Sequence, residues 1–185
     1  MQKKIKLAAA FAALFICIHT SAQAPLISSG ELLEKGYKLH DNGKYKDAIA
    51  LYKQINRSDT NYSKALYELA FSSYADSAFG AAKEYAQLGL KLFPTQTSQW
   101  YIQIANAEDE LKNHDSAISY YDKVININKY NYINYFNKGV AYYGNKNFEQ
   151  AKKSLQQCLL IYPYYSSPHY FLGVIAFEEG NPVQS

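Results

Sequence analysis

Apolar residues at Ala48, Ile49, Leu51, Tyr52 and Ile55 fall on a helical stripe rather than on the alternation of a strand. The arrangement around them recurs along the chain. Small residues stand at Gly36, Ala70, Ala105, Gly139 and Gly173, separated by 34, 35, 34 and 34 positions. A second series, Ala48, Ala82, Ala117 and Ala151, advances by 34, 35 and 34. Both series place one extra residue between the second and third units, an agreement that marks a true repeat. Three further series keep the same register: Tyr45, Phe79, His114, Phe148; Tyr52, Ala86, Tyr121, Leu155; and Ile55, Gly89, Val124, Cys158. Pro94 and Pro163 close the second and fourth units, where Thr60 and Lys129 stand in the first and third.

Each unit divides into two helical segments. The first predicts a helix from Leu32 to Asp41, a turn at Asn42-Gly43-Lys44, and a helix from Tyr45 to Asn56. The fourth predicts Tyr132 to Tyr143, a turn over Gly144-Asn145-Lys146-Asn147, and Phe148 to Tyr162. Gly and Asn at such turns tolerate positive φ and end helices. The small residues let the helices of a pair approach closely, so Gly139→Leu is expected to unfold the array. A lone pair cannot bury its apolar stripe, and successive pairs must stack. The fold class expected is all-α, a solenoid of stacked antiparallel helix pairs.

This pattern resembles the tetratricopeptide repeat. The best match runs from Tyr135-Phe136-Asn137-Lys138-Gly139 through Tyr142, Ala151, Leu155 and Cys158 to Pro163. The third unit departs most, with its insertion and no proline. The resemblance covers about Ser29 to Ser185. It divides residues 29–165 into four repeats (29–62, 63–96, 98–131 and 132–165) and leaves 166–185 as an incomplete fifth, its first helix and turn. It implies that first helices line an extended concave surface that takes a protein or peptide. The groove positions would then be Tyr37 and His40 (with Leu33), Tyr67, Phe71 and Tyr74, Asn106 (with Ile102 and Asp109), Phe136 and Tyr143 (with Val140), and Tyr170 (with Val174). Rigid aromatic rings lose little entropy on binding and suit protein recognition; the same rings also suit packing between neighbouring helices. The clamp that some family members close on a terminal carboxylate is not matched. Leu33 and Tyr37 replace its Lys and Asn, Phe171 replaces its Arg, and Asn106 and Asn137 stand isolated.

Composition changes this picture little. The 19 Tyr against 9 Phe and 1 Trp suit a thin fold whose core residues lie near the surface. Catalytic chemistry finds no constellation. His40, His114 and His169 belong to different units, His114 filling the slot that Tyr or Phe holds elsewhere. No histidine pair has metal-ligand spacing, Cys158 falls in a small buried slot, and the glycines form no phosphate loop. Asp109, Glu110 and Asp115 near Lys112 read as a solvated helix end. Asn56-Arg57-Ser58 and Asn61-Tyr62-Ser63 are glycosylation sequons, relevant only in a eukaryotic source. No enzyme, no cofactor, no metal site and no nucleic-acid partner are expected.

The N-terminus reads as an export signal over residues 1–22, followed by a short linker over 23–28. Lys3, Lys4 and Lys6 precede an uncharged apolar run from Leu7 to Ile18, and Thr20-Ser21-Ala22 offers a cleavage site. The alternatives are an uncleaved anchor and, because of Cys17, a lipoprotein signal with a bulky Ile16 where a small residue belongs. Removing residues 1–22 takes three lysines and no acid, leaving 16 basic and 16 acidic residues. The basicity of the chain therefore belongs to targeting rather than to nucleic-acid binding. No membrane span is expected after cleavage. The expectation is an exported scaffold or adaptor, periplasmic or secreted, most simply in a bacterial envelope. The apolar segment Tyr170 to Phe177 lacks the polar outer face of a terminal cap. It leaves four readings open: self-association with a second copy through 166–179, cover by another protein, an N-terminal module of a longer envelope protein, or a fragment. A glycan or small-ligand binder is a third function class, disfavoured by the few polar side chains on the groove.

Overall fold

The structure, a computed structural model, describes residues 27–180. The expected signal peptide, residues 23–26 of the linker and residues 181–185 lie outside the described residues.

Nine α-helices and no strand occur among the described residues. In chain order they are α1 (Ser29–Asp41), α2 (Tyr45–Tyr52), α3 (Tyr62–Ala75), α4 (Phe79–Leu92), α5 (Thr97–Glu110), α6 (His114–Ile127), α7 (Tyr132–Gly144), α8 (Phe148–Ile161) and α9 (Ser167–Glu178). Each even-numbered helix packs against the helix before it and the helix after it. The odd-numbered helices α3, α5, α7 and α9 also touch in sequence, forming a row along one face. This is the stacked-pair solenoid expected from the repeat.

The repeated small residues sit where the helices cross. Ala48, Ala82, Ala117, Ala151, Ala70 and Ala105 are fully buried. A Cβ on Gly36 would lie 2.2 Å from the Tyr52 ring, and one on Gly139 would lie 2.9 Å from Leu155. Large and small thus trade places within a pair. The second unit has Ala86 and Gly89 where the others carry Tyr or Leu and Ile, Val or Cys. Trp100 of α5 fills that space; its ring lies 2.5 Å from a Cβ built on Gly89 and is fully buried. The extra residue of the repeat falls between Gly89 and Ala105, where a 3₁₀ turn at Pro94–Gln96 connects α4 to α5.

Helix ends follow sequence in three places and depart from it in two. Ser28 caps α1, its Oγ accepting from the Glu31 N–H at 3.2 Å. Asn131 and Asn147 cap α7 and α8 in the same way. The turn inside each unit holds one residue at positive φ: Gly43 (72°), Ser77 (59°), Lys112 (65°), Lys146 (57°) and Gly180 (76°). In the fourth unit that residue is Lys146, not a Gly or Asn. Gly144 is instead helical, and a Cβ there would lie 2.5 Å from the His114 ring. The second departure is α2, which ends at Tyr52 rather than at Asn56. Gln54 and Ile55 close three-residue turns onto Leu51 and Tyr52, which still buries Ile55.

Candidate binding groove

The row of odd-numbered helices brings most of the expected groove residues onto one continuous surface. His40 stacks on Phe71 with ring centroids 4.7 Å apart, and Tyr67 stacks on Phe71 at 6.2 Å. His40 Nδ1 also lies 2.8 Å from Ser72 Oγ, so the ring is held by α3. Phe71 remains 42% exposed at the centre of this stack. Tyr37 and Tyr67 line one cleft between α1, α3 and α5, together with Lys64, Glu68 and Gln99. Leu33, expected beside Tyr37 on the groove, is instead 4% exposed and packs in the core with Tyr52.

A second cleft, about 230 Å³, lies between α3, α5, α7 and α9. Tyr74, Asn106 and Phe136 meet there with Asp109, Glu110, Tyr121, Asn137, Val140 and Phe171. Asn106 Oδ1 accepts from the Tyr121 hydroxyl at 2.8 Å and from Asn137 Nδ2 at 3.4 Å. Phe136 packs edge-on against Phe171 at 5.7 Å. Tyr143 lies just beyond, against Phe148 and Phe171. Tyr170, at the end of the row, is 69% exposed.

Tyrosine–glutamate bonds tie the row together. The Tyr74 hydroxyl donates to Glu110 at 3.1 Å, joining α3 to α5, and Tyr143 donates to Glu178 at 2.5 Å, joining α7 to α9. Burial and the Glu110 charge push the Tyr74 phenol up to about 12. The bond that Tyr143 donates to Glu178, then burial, raises the Tyr143 phenol as well. Between α5 and α7 the equivalent positions are Asp109 and Gly144, and the link takes another form. Asp109 Oδ1 accepts from His114 Nδ1 at 2.7 Å, and His114 rests on Gly144. Asp109 is thus partly buried rather than part of a solvated helix end. Burial raises its pKa, against the His114 bond, which lowers it. Glu110 alone of that pair stays exposed.

Sequence reasoning did not reach Tyr121 as a wall of this cleft, nor Asn137 and Phe171 except as failed clamp positions. Tyr121 lies on a second helix, and its repeat series marks it as core; only its hydroxyl reaches the cleft. Cys158 is a free, buried thiol with its pKa pushed up to about 11 by burial, as a small apolar slot dictates. Among the described residues no group of three or more His, Cys, Asp or Glu side chains could hold a metal ion. No described helix is long and apolar enough to cross a membrane.

Comparison with known proteins agrees with this architecture. Residues 99–131 and 133–165 each match a family model described as tetratricopeptide repeat. A TPR repeat-containing protein of Methanocaldococcus jannaschii is 24% identical over 136 residues. That match covers 74% of this chain and only 24% of the relative's length. Among solved structures, MamA residues 41 to the end from Desulfovibrio magneticus RS-1 superposes with a TM-score of 0.74 at 17% identity, over 83% of this chain and 86% of that one. A further crystal structure of MamA gives 0.69 at 20% identity, over 79% and 85% of the two chains. At such identities the structural likeness speaks for the fold. The chain is an α-solenoid of stacked helix pairs, and two of those pairs match the tetratricopeptide repeat model.

Proposed function

We propose that this chain is a non-catalytic interaction scaffold of the cell envelope, binding a peptide or protein along the face of its odd-numbered helices. Stacked repeats bury a continuous core and present an extended surface, and repeats of this type generally bind proteins or peptides. The observation that carries the reading is the unbroken run His40, Phe71 and Tyr67, with Phe71 left open at its centre. An exposed stacked ring between two clefts is an anchor point for an extended partner. Export rests on the N-terminal charge and apolar run, and the mature chain would begin at Gln23. Fractionation with N-terminal sequencing checks this; an unprocessed chain would remove the cleaved-signal reading.

The groove is tested by changing Tyr67 and Phe71 together to Ala. Phe71 is half exposed and neither residue belongs to the fully buried core, so folding is expected to persist. Capture of a partner from envelope extract should fall about tenfold, the loss typical of removing central aromatic anchors. Unchanged capture with an unchanged circular dichroism spectrum would move the site elsewhere.

Self-association through α9 is a second reading, favoured by Tyr170 and Phe177, which are 69% and 77% exposed. Sedimentation of the Tyr170→Glu, Phe177→Glu variant decides it. The reading predicts that the parent associates with rising concentration and that the variant does not.

A further inference from the structure

The groove has a charge pattern that its aromatic character conceals. On the cleft between α3, α5, α7 and α9, the ionisable groups are the carboxylates Asp109 and Glu110 and the phenols Tyr74 and Tyr121; no Lys or Arg lines it. Helices α5 and α9 contain no basic residue other than His169, near the start of α9. Lys112, two residues past Glu110, is exposed and its charge acts on Asp109 from beyond ion-pair distance; Lys138 and Lys83 are turned to other work. Lys138 of α7 pairs with Asp122 of α6 at 2.6 Å, and Lys83 of α4 faces Glu108 at 3.7 Å. Glu178 extends the same sign beyond Phe171, where it accepts from Tyr143. Among the described residues, neither Asp109 nor Glu110 has a Lys or Arg within ion-pair distance.

The two carboxylates are only partly used. Glu110 accepts from the Tyr74 hydroxyl through Oε1, and Asp109 accepts from His114 through Oδ1. A carboxylate has about four acceptor positions, so each keeps capacity for a donor. The opposite wall is apolar: Phe136, Val140 and Phe171. A surface that is acidic on one side and aromatic on the other matches a side chain with an apolar stem and a cationic head. The stem lies along the rings, the head reaches the carboxylates, and the ring faces add cation–π attraction. Guanidinium fits better than ammonium, because its planar fork can bond a carboxylate while stacking on a ring.

Resting on the groove reading above, we infer that the partner is a peptide segment whose Arg or Lys side chain enters this cleft between Asp109, Glu110, Phe136 and Phe171. A neutral or acidic segment would cover Glu110, whose one partner is the Tyr74 hydroxyl, without bringing it a counter-charge, which is unfavourable. A sugar would find carboxylate and amide acceptors but only edge-paired rings, since Phe136 and Phe171 meet at 69°.

The test is to pan random short peptides displayed on phage against the chain from Gln23 onward. In parallel, the same library is panned against Glu110→Gln and against the Tyr67→Ala, Phe71→Ala variant. Glu110 is exposed and Gln can keep the Tyr74 bond, so that variant is expected to fold as the parent does, which its melting curve checks. The expected result is enrichment of Arg and Lys of about fivefold among parent-bound clones, the factor corresponding to a partly screened ion pair. Against Glu110→Gln the enrichment should drop to about half or less. A leading clone should bind more weakly in anisotropy as salt rises, and its Arg→Gln version should lose most of its affinity. Clones without basic enrichment, or basic clones indifferent to Glu110→Gln, would overturn the cation inference. If Tyr67→Ala, Phe71→Ala still loses those clones, the groove reading survives that failure. If it binds them as the parent does, both readings fall. Recovery of no clones above background also overturns the inference.

Discussion

At the scale of single residues, two glycines differ only in what surrounds them. Gly36 faces the Tyr52 ring at a distance no Cβ tolerates, whereas nothing lies within 4 Å of a Cβ on Gly80 in α4. Gly36→Ala should therefore destabilise the chain by about 1–3 kcal/mol through overpacking. Gly80→Ala should stabilise it by about 0.5 kcal/mol, because Ala gives up less backbone entropy in a helix. Chemical denaturation of both variants checks the pair; equal effects would mean the close approach at Gly36 is wrong. Glu68 supplies a pH-dependent counterpart. Burial, then the Asp41 charge, pushes its carboxyl from 4.5 up to about 7. The folded state thus holds this proton more tightly than the unfolded state does. Its unfavourable contribution is absent below the ordinary carboxylate range, grows as pH rises from 4.5 towards 7, and is complete above. Glu68→Gln should leave the melting temperature alone near about pH 4 and raise stability by about 1 kcal/mol near about pH 8, after allowance for solvent screening. A shift independent of pH would show that Glu68 is not the group responsible.

At the scale of helices and turns, the repeat imposes one backbone on unlike residues. The left-handed positions 43, 77, 112, 146 and 180 advance by 34, 35, 34 and 34, the same steps as the buried small residues. Each of the first four closes the same bond across the helix end, such as Lys44 N–H to Leu39 O at 2.8 Å and Asn147 N–H to Tyr142 O at 2.9 Å. Only two of the five are Gly. Ser77, Lys112 and Lys146 carry a Cβ in a conformation that costs about 1 kcal/mol. Lys146→Gly should therefore stabilise by about 0.5–1 kcal/mol, somewhat offset by the greater freedom of Gly when unfolded. Lys112→Gly should act alike, and thermal melting of either variant checks it. These turns also show what could be read from sequence. The helices and their pairing were legible because burial repeats faithfully: every member of the Ala48 series is buried. The turn conformation was legible at Gly43 but not at Lys146, because the fold, not the residue's own preference, sets φ there. Trp100 was illegible for a related reason. It fills space emptied by Ala86 and Gly89, and such compensation shows only when two helices are laid against each other. On the groove, aromatic positions could be listed from the repeat. The partial burial of Asp109 depends on His114 at the start of the next helix, and the loss of Leu33 to the core depends on packing between helices.

At the scale of the whole molecule, the core is not uniform. The largest apolar cluster spans the first three units, from Leu32 and Tyr52 through Leu66 to Trp100 and Ile104. The C-terminal cluster is small, built on Ala151, Leu155 and Ile175. Among the described residues α9 packs against α7 and α8, and Phe177 stands in solvent. In a repeat array each unit is stabilised mainly by the apolar contacts around it, so local opening should begin where the buried cluster is smallest. Two natural reporters sit on opposite sides of this gradient. Trp100 is buried at the junction of the second and third units, and Cys158 is buried in α8 beneath α7. In the chain from Gln23 onward Cys158 is the single thiol. As urea rises, Cys158 should become open to a thiol reagent before Trp100 emission shifts towards that of exposed indole. The separation should shrink when a partner stabilises the α7–α9 end of the groove, because binding adds stability to the state that binds. Coincident curves for the two probes would mean that the array opens as one block, and the C-terminal units could then not move independently of the rest.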